Sequence, residues 1–129
     1  MSDTTETYRT VTPYLVVRDG DAELKFLAAA FGATEQMCQR TPEGAVMHAE
    51  IVIGDSLIMM GQANESWKAL PAALYVWIPN VDEVYARALA AGATSQSAPE
   101  DKPYGHRMGG VVDSNGVIWW IGAKVKSTV

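Results

Sequence analysis

The chain repeats itself at an offset of 61 residues, and a duplicated module constrains every later assignment of elements. Tyr14-Leu15-Val16-Val17-Arg18-Asp19 aligns with Tyr75-Val76-Trp77-Ile78-Pro79-Asn80, and Asp21 falls on Asp82. After a slip of one residue, Gly32-Ala33-Thr34 meets Gly92-Ala93-Thr94. The offset of 61 then returns, pairing Gly44 with Gly105, Met47 with Met108, Ile51 with Val112 and Gly61 with Gly122. Identity between the copies is low, but the order of signals is the same. Each copy reads as a strand, a helix and three strands. The expected fold class is therefore α+β, with two β-α-β-β-β modules. The whole of residues 1–129 is expected to be one domain, with module one at about 8–62 and module two at about 72–124.

Asp19 or Asp21 in the first copy, and Asn80 with Glu83 in the second, are helix N-terminal signals ahead of apolar-periodic runs. Leu24, Leu27 and Phe31 give the first helix its buried stripe, and Val81, Val84, Ala88 and Ala91 give the second. Gly32 and Gly92 close these helices, where a left-handed residue is wanted. Thr41-Pro42-Glu43-Gly44 has Pro and Gly where a type I turn places them. Gly54-Asp55 and Asn115-Gly116 coincide under the repeat, and both predict two-residue hairpin turns of the primed types. Ala63 to Ala72 reads as a linker and Lys124 to Val129 as a polar tail.

A two-residue turn sets register, so Ile53 should face Ser56, Val52 Leu57, Ile51 Ile58 and Glu50 Met59. One face then carries Met47, Ala49, Ile51, Ile53, Ile58 and Met60, apolar enough to lie under the helix. The other carries Val46, His48, Glu50, Val52, Leu57 and Met59, the mixed lining of a ligand cup. Carried through the repeat, Arg107, Gly109, Val111, Ile118 and Trp120 join the cup, while Met108, Gly110, Val112, Trp119 and Ile121 turn to the helix. Tyr14, Val16, Tyr75 and Trp77 of the opening strands also turn to the cup. Rings with a few polar groups suit a small molecule: the rings supply contact area and the polar groups set orientation.

Ten basic against fifteen acidic residues give a net charge of -5 with no basic run, which argues against a nucleic-acid partner. No stretch approaches the roughly 20 apolar residues of a membrane span, and Met1 to Thr7 has no apolar signal region. A cytoplasmic protein is expected. The lone Cys38 agrees with a reducing compartment and reads as a small strand residue rather than a nucleophile.

The segment Thr12-Pro13-Tyr14-Leu15-Val16-Val17, the run ALPAALYVWIPNVDEVYARALAAGAT, the HAEIVIGDSLIMM stretch and the YGHRMGG…WW ending resemble the vicinal oxygen chelate superfamily, that of glyoxalases, bleomycin resistance proteins and dioxygenases, and within it the PhnB-like branch. The likeness runs over roughly residues 8 to 124. It implies paired modules forming a cup-shaped mixed sheet with helices on its outer face, and a homodimer. It also implies a divalent metal held from the first and last strands of each module, at positions that fall here on Thr12, Met59, Ala73 and Trp120. None of these offers the imidazole or carboxylate that such an ion takes, so no metal and no cofactor are expected. His106 stands where the branch often has Asp.

His48 and Glu50 share a face, which permits a metal half-site, an acid–base pair, or a pair satisfied by neighbours such as Arg107. Arg107 itself could grip an anionic substrate or neutralise Glu50. Tyr104 and His106 are placed on a surface loop, Trp67 reads as a lid, a dimer contact or an ordinary exposed ring, and Met59-Met60 as adaptable packing. The expected ligand-binding residues are Tyr14, His48, Glu50, Met59, Tyr75, Trp77, Arg107 and Trp120. The expected function is metal-independent binding of a small aromatic or amphipathic molecule, for sequestration or sensing. The alternative is a lyase, isomerase or dioxygenase-like enzyme using His48 and Glu50, with or without a metal. A purely structural dimerisation module fits less well with a cup lined by rings and charge.

Overall fold

A computed structural model describes residues 8–125 of the chain. It divides into two compact units between Leu70 and Pro71, inside the expected linker. In the first unit, β1 (Tyr14–Val17) leads into α1 (Gly20–Phe31), followed by β2 (Thr34–Arg40), β3 (Val46–Ile53) and β4 (Ser56–Gln62). The second repeats this order with β5 (Ala73–Trp77), α2 (Val81–Ala90), β6 (Thr94–Asp101), β7 (His106–Val112) and β8 (Ile118–Lys124). Each unit forms a four-stranded mixed sheet, ordered β1-β4-β3-β2 and β5-β8-β7-β6. In each the first and last strands run parallel and the other pairs antiparallel.

The helix termini follow their sequence signals with one exception. Asp19 caps α1 by accepting from the Ala22 amide at 3.1 Å, and Gly32 ends it in the left-handed region at φ 68°. Asp21 instead receives Arg40, at 2.7 Å. Asn80 makes no side-chain bond to the backbone of α2, because its amide donates to the Glu83 carboxylate at 2.9 Å. The buried stripes are broader than expected in α1, where Glu23, Phe26 and Ala30 join Leu24, Leu27 and Phe31, and narrower in α2, where Val81, Val84 and Ala88 are buried.

The register of β3 against β4 matches expectation residue for residue. That of β7 against β8 does not. Val111 pairs with Trp119 and Gly110 with Trp120, one residue off the repeat. The cause is the loop. Asp113 accepts from the amides of Asn115 and Val117 at 2.9 and 3.0 Å, and its carbonyl accepts from Gly116 at 3.0 Å. This makes a three-residue connection, Ser114-Asn115-Gly116, in which only Gly116 has positive φ, rather than the two-residue turn the repeat predicts. Module one holds its extra residue elsewhere. Gln39 pairs with His48 but Arg40 with Val46, so Met47 is a bulge within β3. The offset of 61 survives because one module places the residue in a strand and the other in a loop.

A shift of one residue exchanges faces. Arg107, Gly109 and Val111 therefore share a face with Trp119 and Ile121, on the α2 side, and His106, Met108, Gly110 and Val112 take the opposite face with Trp120. The bulge corrects module one likewise. Val46 is fully buried and lies against Gly20 at the start of α1, while Met47 is exposed.

Candidate functional site

The candidate surface is the face of each sheet opposite its helix, here called the open face. In module one it gathers Tyr14, His48, Glu50 and Met59. Tyr14 and Glu50 both pair with Met59 across β4, so all three share a side, and His48 stands two residues before Glu50. The side chains form a chain of hydrogen bonds. Tyr14 Oη lies 3.0 Å from His48 Nδ1, and His48 Nε2 lies 3.1 Å from Glu50 Oε2. Tyr8 closes the far end, its hydroxyl 2.8 and 3.0 Å from the two Glu50 oxygens. With Glu50 accepting, the tautomer that satisfies both bonds has Nε2–H donating to Glu50 and Nδ1 accepting from the Tyr14 hydroxyl. Burial pushes the Tyr14 phenol above its ordinary pKa.

Gly61 gives this chain its room. A Cβ there would come within 2.9 Å of the Met47 carbonyl oxygen and the Trp67 ring, and within 3.1 Å of Tyr14 Oη. The tight turn of Asn64 to Trp67, closed by backbone bonds in both directions, sets the Trp67 ring 5.3 Å from that of Tyr14. Trp67 is thus part of the open face of its own module. Tyr8 lies 42 residues from Glu50 and no local pattern pointed to it.

The open face of module two is a run of rings. Tyr75 and Trp77 stack at 4.5 Å, His106 meets Trp77 edge-on at 4.9 Å, and Tyr104 meets His106 at 5.1 Å. Trp77 is 59% exposed. Burial, then the neighbouring Tyr104, pushes the Tyr75 phenol upward. Trp120 is half-buried and lies against Gly110, the counterpart of Glu50, where a side chain would strike its ring. His106, expected on a surface loop, opens β7 and joins this face through the altered register.

Arg107 does not join it. Its guanidinium lies on the α2 side, bonded to Asp82 at 3.0 Å and Asp101 at 3.1 Å, and these carboxylates raise its pKa. It faces away from the rings of its own module. A hollow of about 460 Å³ adjoins it, lined by Asn80, Asp82, Asp101 and Lys124 among others, but Arg107 is already occupied there by two carboxylates.

The four positions that the resemblance assigns to a divalent metal, Thr12, Met59, Ala73 and Trp120, carry no imidazole or carboxylate. Thr12 donates to the Arg9 carbonyl, Ala73 has no donor, and the Trp120 ring fills the space above Gly110. Among the described residues no group of three His, Cys, Asp or Glu could hold an ion, and His48 and Glu50 are bonded to each other.

Comparison with known proteins agrees with the fold. A model of the Glyoxalase/Bleomycin resistance protein/Dioxygenase superfamily matches residues 8–121. An uncharacterized protein of Mycobacterium tuberculosis is 31% identical over 127 residues, covering 90% of this chain and 75% of its own length. An uncharacterized protein of Mycobacterium bovis is also 31% identical, with 90% and 84% covered. Among solved structures, TioX from Micromonospora sp. ML1 is 25% identical with a TM-score of 0.73, over 94% of this chain and 100% of that one. A PhnB protein from Bacillus cereus is 22% identical with a TM-score of 0.71, over 89% and 99%. The fosfomycin resistance protein FosX from Mesorhizobium loti is 16% identical with a TM-score of 0.66, over 93% of each chain. The last two likenesses concern the fold alone.

Proposed function

Because the chain belongs to the glyoxalase/bleomycin resistance protein/dioxygenase superfamily, we propose that it binds a small aromatic or amphipathic molecule without a metal, to sequester or sense it. The observation that carries this reading is the exposed ring surface of Tyr75, Trp77 and His106 on module two. An indole more than half exposed on a sheet face, with a tilted phenol and an edge-on imidazole beside it, offers apolar ring surface with a polar edge, which suits an aromatic ligand. Tyr14, Trp67 and Met59 offer a second such surface on module one. The donor chemistry at Thr12, Met59, Ala73 and Trp120 supports metal independence. The family's description and the FosX title both name antibiotic resistance proteins, which supports a small-molecule role.

The test is a thermal-shift and tryptophan-fluorescence screen of small aromatic compounds, with elemental analysis of the purified protein. The expected outcome is a ligand whose affinity drops about tenfold in Trp77→Ala, since a lost stacking ring is worth roughly 0.5–1.5 kcal/mol beyond its area. Near-stoichiometric zinc, nickel, manganese or iron, released by His48→Ala, would overturn metal independence. The bonded pair of His48 and Glu50 favours a second reading, acid–base chemistry on module one.

A further inference from the structure

We propose that Tyr14, His48 and Glu50 form a proton-transfer site, in which the Tyr14 hydroxyl removes a proton from an acidic C–H of an aryl substrate held beside Trp67. The proposal rests on the reading that a small molecule occupies the open face of module one. It adds that this molecule meets a polarised hydroxyl there.

Exposure falls along the hydrogen-bond chain. Tyr14 is 39% exposed, the His48 side chain 23% and that of Glu50 only 5%. The charge is therefore innermost, the imidazole sits between, and the phenol stands at the surface where a substrate arrives. The order of roles is that of an activated hydroxyl: a group that touches substrate, a base that takes its proton, and a carboxylate that fixes the base's tautomer. Tyr14 is the catalytic residue. Glu50 acts through His48 and is a positioning residue, itself steadied by Tyr8. Burial raises the Tyr14 pKa and so opposes a free phenolate, which requires its proton to leave only as the substrate proton arrives.

Module two is an internal control. Tyr75 is the counterpart of Tyr14, and Gly122, like Gly61, leaves space for the tyrosine hydroxyl. In the observed register, however, the residues matching His48 and Glu50 are Met108 and Gly110. The phenol is present in both copies and the relay behind it in one. Trp67, 5.3 Å from Tyr14, supplies the stacking wall that selects an aryl group.

The step balances without an oxidant or a further reactant. Tyr14 oxygen takes the substrate proton as its own proton passes to His48 Nδ1, and the imidazolium so formed is held by the Glu50 carboxylate. The C–H electron pair stays with the substrate and forms a new π bond as the adjacent bond to a leaving group breaks. Tyr14 then releases the acquired proton to solvent or product, and His48 returns its proton to Tyr14.

The probe is 5-nitrobenzisoxazole, an aryl compound whose C–H deprotonation breaks its N–O bond and gives a coloured nitrile phenolate. Wild type should turn it over on the order of 10²-fold faster than Tyr14→Phe or His48→Gln, the usual weight of a positioned acid–base group. Equal rates in wild type and Tyr14→Phe overturn the proposal. So does loss in His48→Gln alone, which makes His48 the base. Quenching of Trp67 fluorescence by the probe is read separately, so binding without turnover rejects the proton transfer and leaves the binding reading standing. A second measurement needs no probe. The 15N spectrum of the His48 ring should show the Nε2–H tautomer in wild type and a redistributed tautomer in Glu50→Gln. A wild-type Nδ1–H tautomer overturns the relay.

Discussion

Adjacent tryptophans divide the labour of β8. Trp119 is 1% exposed, and its indole N–H donates to the buried Asp113 at 2.9 Å. Trp120 is half-buried on the open face. Replacing Trp119 by Ala opens a core cavity and strands an Asp113 oxygen, so a cost of about 3–5 kcal/mol is expected. Trp120→Ala should cost clearly less and should instead weaken ligand binding, because it removes ring surface from the open face. Denaturant unfolding of the two variants, with binding of a screened ligand, checks this; a more destabilising Trp120→Ala with intact binding would reverse the assignment of faces. The glycines of these faces act through volume rather than backbone freedom. Gly61 clears Tyr14 and Trp67, and Gly110 clears Trp120. The repeat aligns Gly61 with Gly122 but turns Gly110 to the helix, because the bulky neighbour each glycine admits depends on which residue lies across the sheet.

At the scale of elements, one residue decides which charges reach the site. The turn of Lys102 to Gly105 repeats that of Thr41 to Gly44, each closed by a glycine amide bonded three residues back, so β3 and β7 start alike. They part at Met47. The bulge carries His48 and Glu50 onto the open face after Val46 has faced the helix, whereas β7 continues without a bulge and meets its extra residue in the loop. Arg107 therefore keeps the helix-side place of Val46 and ties β7 to Asp82 in the first turn of α2, as Arg40 meets Asp21 in module one. Arg107→Ala is expected to leave ligand affinity within about twofold of wild type, since exposed ion pairs of this kind carry little energy and this one faces away from the rings. Isothermal titration with an anionic and a neutral ligand is the check. A large loss for the anionic ligand alone would return Arg107 to the site.

At the scale of the whole molecule, the two modules share a fold and differ in chemistry, with an acid–base chain on one open face and a ring platform on the other. A two-fold homodimer is the proposed assembly, from family likeness rather than from any surface of the chain. Sedimentation equilibrium at micromolar concentration should return twice the mass of one chain, and a monomer would count against it. The repeat, the helix positions, the two-module order and the β3–β4 register were legible in the sequence because turn residues, caps and apolar periodicity act locally. His48, Glu50, Tyr14, Trp77 and Trp120 could be placed on the correct faces for the same reason. Tertiary structure alone decided the exchange of Arg107 for His106, the burial of Val46 and the arrival of Tyr8 at Glu50. A bulge and a hairpin loop can each absorb one residue, and Asn115-Gly116 serves a two-residue or a three-residue turn equally well until the Asp113 side chain binds the loop amides and the Trp119 indole. Those bonds hold the three-residue loop, and with it the register that the spacing of apolar residues leaves open.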